Sequence, residues 1–394
     1  MVPGRLLTAV VLATFASACT IGAAADTLPS AGPHPSSSPT PAPVQLKIAL
    51  LEDLSPDEAV AEILPALHAA EIALANASNA GDLGASVELV PVDTAADPAS
   101  ATAQIVDDPS FVGAIIAPFF QDQATIASAL DRAGVATLSL SSRGTHVSTL
   151  GLEQWRRLVA SRPFEASAFA SLVDAMPRSR DGVCLIDGAG PDRSAWRGLV
   201  RSALAAPIPL EMPALDPSDD PASAVTRVAE AGCGVVIWSG SAEAAAAFRA
   251  AMVEHGLRRV TLAGSDQLKQ DAYLVDAGPA ADRTIATCSC VDLSTSTRLA
   301  AQRFIQDYQS EEGVPPGPYA AEAWDGARMF VHAIKSARTL DRAAIGSALF
   351  SDSTYEGGLA GPYGFLPDGE LADAPAHIHS YRVEGRRWIA LGTR

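Results

Sequence analysis

Val135–Gly144 reads VATLSLSSRG: a run of strand-forming residues that stops abruptly in two serines, an arginine and a glycine. Immediately before it lie Val112–Ala117, VGAIIA, and an apolar-periodic stretch from Ala124 to Ala133. Strand, helix and strand joined by short connections define a parallel, doubly wound sheet. In such a sheet ligands lie outside the carboxyl ends of the strands, where loops and helix N-termini offer N–H groups. Ser141, Ser142 and Arg143 stand at that position, so this strand end is a candidate anion-binding site.

The same alternation extends outward in both directions. Leu46–Leu51 (LKIALL) reads as a buried strand, Ala59–Ala77 as an Ala-rich helix, and Ser86–Asp93 as a second strand. Asp97-Pro98 has the chemistry of a helix start, an acceptor for free N–H groups followed by a ring that suits the first turn. After a helix from Phe164 to Met176 the pattern begins again. Gly182–Asp187, Ile208–Met212, Gly234–Trp238, Val260–Ala263 and Thr284–Val291 are five more strands with helices between them. Helices at Ala300–Glu312 and Ala320–Ala337 follow, the second with Trp324, Met329, Phe330 and Ile334 on one packing stripe. A Gly-rich tail then closes in a hairpin, Ile378–Val383 and Trp388–Leu391.

With 394 residues, 48% of them apolar and 19% charged, the chain can bury a large core in two or three domains. A formal net charge of -17 excludes a nucleic-acid partner, which needs clustered Lys and Arg. Arg5, the apolar run Leu6–Ala16 and the small residues that follow form an export signal too short to span a bilayer. Its ending, Ala16-Ser17-Ala18-Cys19, resembles the lipobox of bacterial lipoproteins with Ala16 in place of the usual Leu, which implies lipidation of Cys19. Ordinary cleavage after Ala18 or Ala25 is the alternative. Residues 1–18 are then the signal and 19–43, rich in Ser and Pro, a disordered tether.

Cys184, Cys233, Cys288 and Cys290 remain, and an oxidising compartment permits one or two disulfides among three full pairings. His377 and His379 alternate, but with no third ligand they read as exposed and not metal-binding. No G-x-S-x-G, Walker loop or zincin helix supports catalysis, and no cofactor motif is present.

Two doubly wound units after an export signal resemble a type 1 periplasmic binding protein, on the leucine/isoleucine/valine branch that serves ABC importers. The resemblance runs from about Leu46 to the C-terminus. It is carried by LKIALLEDLS, DTAADP (Asp93–Pro98), GVATLSLS (Gly134–Ser141), GLRRVTLAGSD (Gly256–Asp266), YAAEAWDGA (Tyr319–Ala327) and GPYGFLPDG (Gly361–Gly369). It implies two lobes joined by a three-strand hinge, 44–155 plus 294–348 and 156–290 plus 349–394, closing on a small polar ligand. It further implies a monomer that is not an enzyme, tethered to the membrane through its lipid anchor and delivering to ABC permease subunits. A non-transport module that senses a ligand or binds a partner is the alternative.

Matched to the family, the ligand contacts fall on Gln121, Ser141, Ser142, Arg143, Asp192, Ser241 and Asp266, and Tyr319 either rims the cleft or packs the helix that follows it. Arg143 stands where the amino-acid receptors have a Thr, and Asp192 and Gly240-Ser241 where they have aromatics. Arg143 either forks onto a ligand carboxylate or phosphate, or faces solvent or salt-bridges to a neighbouring acid such as Asp122. Asp266 either pairs with a ligand ammonium or caps the following turn.

Overall fold

The computed structural model describes residues 44–53, 57–81, 83–95, 97–120, 123–188, 193–212, 221–351 and 353–392. The export signal, Cys19, the tether, Gln121, Asp122 and Asp192 lie outside them.

The first sheet is built from β1 (Val44–Glu52), α1 (Asp57–Asn79), β2 (Ala85–Asp93), α2 (Pro98–Asp107), β3 (Phe111–Ile116), α3 (Gln123–Arg132), β4 (Ala136–Ser139) and β5 (Trp155–Arg157). Its strand order is β2-β1-β3-β4-β5, all parallel. Asp97 does cap α2, its carboxylate accepting from Ala99 and Ser100 N–H at 3.0 and 3.1 Å. Side chains alternate across β1: Leu46, Ile48 and Leu50 enter one core layer, Ala49 and Leu51 the other. Both faces are therefore covered, as an all-parallel sheet requires.

The second sheet takes α4 (Arg162–Asp174), β6 (Val183–Asp187), α5 (Arg193–Ala203), β7 (Leu210–Met212), α6 (Pro221–Ala231), β8 (Val235–Ser239), α7 (Ala242–Glu254), β9 (Thr261–Gly264), α8 (Asp271–Ala277) and β10 (Ile285–Cys288). Phe169, Trp196 and Val200 cover one face; Val225, Phe248, Met252 and Tyr273 cover the other. After α9 (Leu299–Glu312), α10 (Ala320–Ala337) and α11 (Arg342–Leu349) come a small hairpin, β11 (Thr354–Tyr355) and β12 (Tyr363–Gly364), then β13 (His379–Glu384) and β14 (Arg387–Leu391). β13 adds antiparallel to β10 and β14 antiparallel to β13, giving the order β14-β13-β10-β9-β8-β6-β7.

The chain is thus an α/β protein of two doubly wound lobes, crossed three times: after β5, after β10, and before β13. Arg162 N–H to Ser142 O (2.9 Å), Ser289 Oγ to Ala160 O (3.1 Å) and Val291 N–H to Glu322 Oε1 (2.7 Å) bind the first two crossings together. The β11–β12 hairpin sits on α10, where Asp325 accepts from Leu359 N–H, Ala360 N–H and the Tyr363 hydroxyl at 2.6, 2.9 and 2.8 Å. All four cysteines that follow the tether are paired, Cys184 with Cys233 beside β6 and Cys288 with Cys290 where β10 leaves its sheet.

His377 departs from the expected exposure. It is buried, its ring 5.3 Å from that of Tyr363 and its Nε2 3.2 Å from Pro362 O, because Gly361 at φ +147° turns that loop back over it. His379 is partly buried, and desolvation lowers it to about 4.

Candidate functional site

The end of β4 is polar and yet inaccessible: Ser141, Ser142 and Arg143 are 0, 2 and 3% exposed. Such a loop survives burial only if its polar atoms are engaged. Ser141 Oγ donates to Phe120 O at 2.8 Å, Ser139 Oγ donates to Gln123 Oε1 at 2.7 Å, and Gln123 Nε2 donates to Arg143 O at 2.8 Å. Arg157, on β5, closes the frame. Its guanidinium donates to the carbonyls of Ser141, Arg143 and Gly144 and pairs with Glu370 through Nε at 3.0 Å.

Arg143 does not face solvent. Its Nη1 donates to Phe119 O, and its guanidinium carbon lies 5.1 Å from the centre of the Phe119 ring. Glu52, at the end of β1, is the acid it favours in the charged form. Burial nonetheless raises Glu52 to about 8, and its Oε2 has no hydrogen-bond partner.

From Phe119 the contacts continue toward the second sheet. Its ring meets Tyr319 edge-on at 5.4 Å, and the Tyr319 hydroxyl donates to Asp266 Oδ2 at 2.7 Å. Tyr319 is the residue just before α10, at φ +63°, which turns its side chain away from the helix it precedes. Asp266 follows β9 and is 1% exposed, with Oδ1 accepting from Gln267 N–H at 2.9 Å. It does tie its own turn, but α8 begins later, after Gln270. The ends of β4 and β9, one on each lobe, are therefore linked by an unbroken series of contacts: Arg143, Phe119, Tyr319, Asp266. Ser241 is placed differently. It caps α7, accepting from Ala244 N–H at 3.3 Å.

Behind Asp266 lies Glu165, on the first turn of α4 and fully buried. Its Oε1 accepts from Thr287 Oγ1 at 3.0 Å, and its Oε2 is unpartnered. Burial and then the Asp266 charge hold Glu165 above the usual carboxylate range, while Arg162 opposes them. Glu322 on α10 is raised to about 8, again chiefly by burial, and buried Lys269 is lowered for the same reason. Phe119, Glu52, Glu165 and Arg157 were not among the sequence candidates. Only Glu52, an acid ending an apolar strand, carried a local signal. The cluster can offer cationic and anionic groups to one small molecule between the strand ends, in a setting where burial strengthens every charge.

The sequence profile of the periplasmic binding protein family matches residues 45–384, and the chain belongs to that family. Its fold is that of the type 1 members. The structure of LivJ, a branched-chain amino acid transporter substrate binding protein from Streptococcus pneumoniae in complex with isoleucine, superposes with a TM-score of 0.74 at 16% identity, covering 88% of this chain and 98% of that one. A leucine binding protein, LivK, from Thermotoga maritima gives 0.69 at 16% identity, with 88% and 98% covered. A solute binding protein of an ABC transporter from R. palustris, in complex with benzoate, gives 0.67 at 17% identity, with 88% and 96% covered. No curated protein matches the sequence.

Proposed function

We propose that this protein is an extracytoplasmic solute receptor of an ABC importer, anchored by a lipid at Cys19, that binds a small carboxylate between its lobes without chemical transformation. The observation that carries the reading is the contact series from Arg143 to Asp266, which joins the carboxyl ends of strands in opposite lobes. Arg143, with the Ser142 hydroxyl next to it in the chain, suits a carboxylate; the Ser141 hydroxyl is engaged with Phe120 O. Asp266 suits an ammonium: each of its oxygens accepts one bond in the structure and keeps a lone pair for a second. Isoleucine and benzoate, bound by two of the similar structures, share the carboxylate and only one has the ammonium.

The lobes proposed here follow the sheets. The first comprises 44–157 and about 294–371, including the segment that meets Arg157 and α10; the second comprises about 158–290 and 378–392. Hinge closure between them would bury the ligand, and a monomer suffices for that. Gln121 and Asp192, which lie outside the described residues, are kept as proposed ligand contacts on the family match alone. A thermal-shift screen of amino acids, small carboxylates and amides tests the reading. A saturable stabilisation by one class is expected; none across the panel would refute it.

A further inference from the structure

At the other end of the second sheet, away from Asp266, the structure holds a cavity of about 660 Å³ between the starts of β9 and β10, the end of β13 and the turn Pro177–Asp181. Thr261 opens β9 and Asp266 lies beyond its last residue, Gly264, so the three steps of the strand alone put about 10 Å between the two places. The two places are therefore separate.

The walls are fixed by the sequence. Gly234 has no side chain, and a Cβ there would lie 2.1 Å from Arg178 O, so only glycine lets that turn descend onto the sheet end. Arg249, 1% exposed, sends its guanidinium to Val260 O, Ala280 O and Asp282 O at 2.8, 2.8 and 3.0 Å, holding the loops before β9 and β10 in one position. Arg283 adopts φ +69°, a left-handed conformation disfavoured for an arginine, while its N–H donates to Val383 O at 2.9 Å.

The charge here opposes that of the whole chain. Arg178, Arg283 and Arg382 line the cavity with Asp282 and Glu384. Among the described residues no hydrogen bond or ion pair engages the side chains of Arg178 and Arg283. Arg382 pairs with Glu384, but both side chains are about half exposed (46 and 50%), a pairing that water weakens. Arg180, Arg258, Arg259 and Arg386 lie on the same turns and hairpin, with Asp181 the acid among them. In a protein of net charge -17 this pole is positive, and its volume falls in the range of small-molecule sites. A concave wall favours a compact ligand over a flat membrane surface.

We propose that this cavity is a second binding site, independent of the inter-lobe cleft, for a small molecule bearing two or more anionic oxygen groups. Inorganic pyrophosphate and citrate are the probes. Calorimetric titration at low ionic strength should show saturable binding to the wild type, weakened about tenfold or more in Arg178→Ala/Arg283→Ala and in Arg382→Gln, each loss being of a charge-assisted contact. The Arg143→Ala protein should bind the probes as the wild type does. No saturable binding of either probe, undiminished binding by both altered proteins, or loss in Arg143→Ala would overturn the proposal. So would binding to phosphatidylglycerol vesicles with none to the free probes, which would make the pole a membrane-facing surface.

Discussion

Replacing Arg157 by Met removes the side chain that donates to three carbonyls of the β4 loop while keeping most of its volume. In the structure Arg157 is fully buried and Glu370 is 10% exposed at the side chain, so the substitution leaves a nearly buried carboxylate without its cation. Three carbonyls, those of Ser141, Arg143 and Gly144, lose a donor at the same time. Breaking a buried pair by removing one partner costs about 3–5 kcal/mol, so ~4 kcal/mol is expected. With an unfolding entropy of about 2.1 cal/mol/K per residue over roughly 350 folded residues, that is a fall in Tm of ~5 °C. Denaturant unfolding gives the free energy directly. The double substitution Arg157→Met/Glu370→Leu removes both charges and should recover more than half of the loss, since apolar replacements of buried pairs are often neutral. A single-substitution cost under about 1 kcal/mol, or strictly additive effects of the two changes, would refute the claim that this pair frames the loop.

Three further outcomes follow from other parts of the molecule. Glu52 and Glu322 titrate near 8 and Asp325 near 7, above their unfolded values, so the native state keeps protons that the unfolded chain releases and stability falls as pH rises from about 4.5 to about 8. His379, lowered to about 4, and His377, lowered likewise by burial, act in the opposite sense below about 6.5, but two rings against four raised acids, Glu165 included, leave Tm higher at pH 5 than at pH 8; the reverse order in a thermal scan would contradict these assignments. Removing the Cys184–Cys233 link, which spans 49 residues, should cost about 4 kcal/mol, against about 1.2 kcal/mol for Cys288–Cys290, which spans 2, and equal losses in denaturant titrations of the two Cys→Ser pairs would refute the loop-length account. Gly113→Ala places a Cβ 2.1 Å from the Phe330 ring and should destabilise by about 1–3 kcal/mol, while the added Phe330→Leu change should restore part of it.

The strands and helices were legible because their periods differ and because parallel strands buried on both faces read as unbroken apolar runs. α11, β11, β12 and β5 were not read, and β5 shows why. Three residues, Trp155–Arg157, with two arginines show no such run, and the segment read only as a crossing between lobes. Arg157 can be buried there because Glu370, 213 residues later, meets it, and no local pattern reports so distant a partner. The candidate site divides in the same way. Asp266 and Ser141–Arg143 could be nominated because a strand end is a position defined by the fold; their contact with a ligand is a proposal. Phe119 and Glu165 could not, since an aromatic after β3 and an acid in the first turn of α4 are ordinary until the third dimension brings them against Arg143 and Asp266. Ser241, chosen by the same strand-end argument, serves its own helix instead.

That a ligand is held from both lobes is tested most directly by calorimetric titration of the ligand found in the screen into Arg143→Ala and Asp266→Asn proteins, one change on each side. The account predicts 1:1 binding to the wild type and a loss of at least tenfold in affinity in both variants, about 1.4 kcal/mol or more for each. Undiminished binding by either variant, with its fold intact, would contradict it.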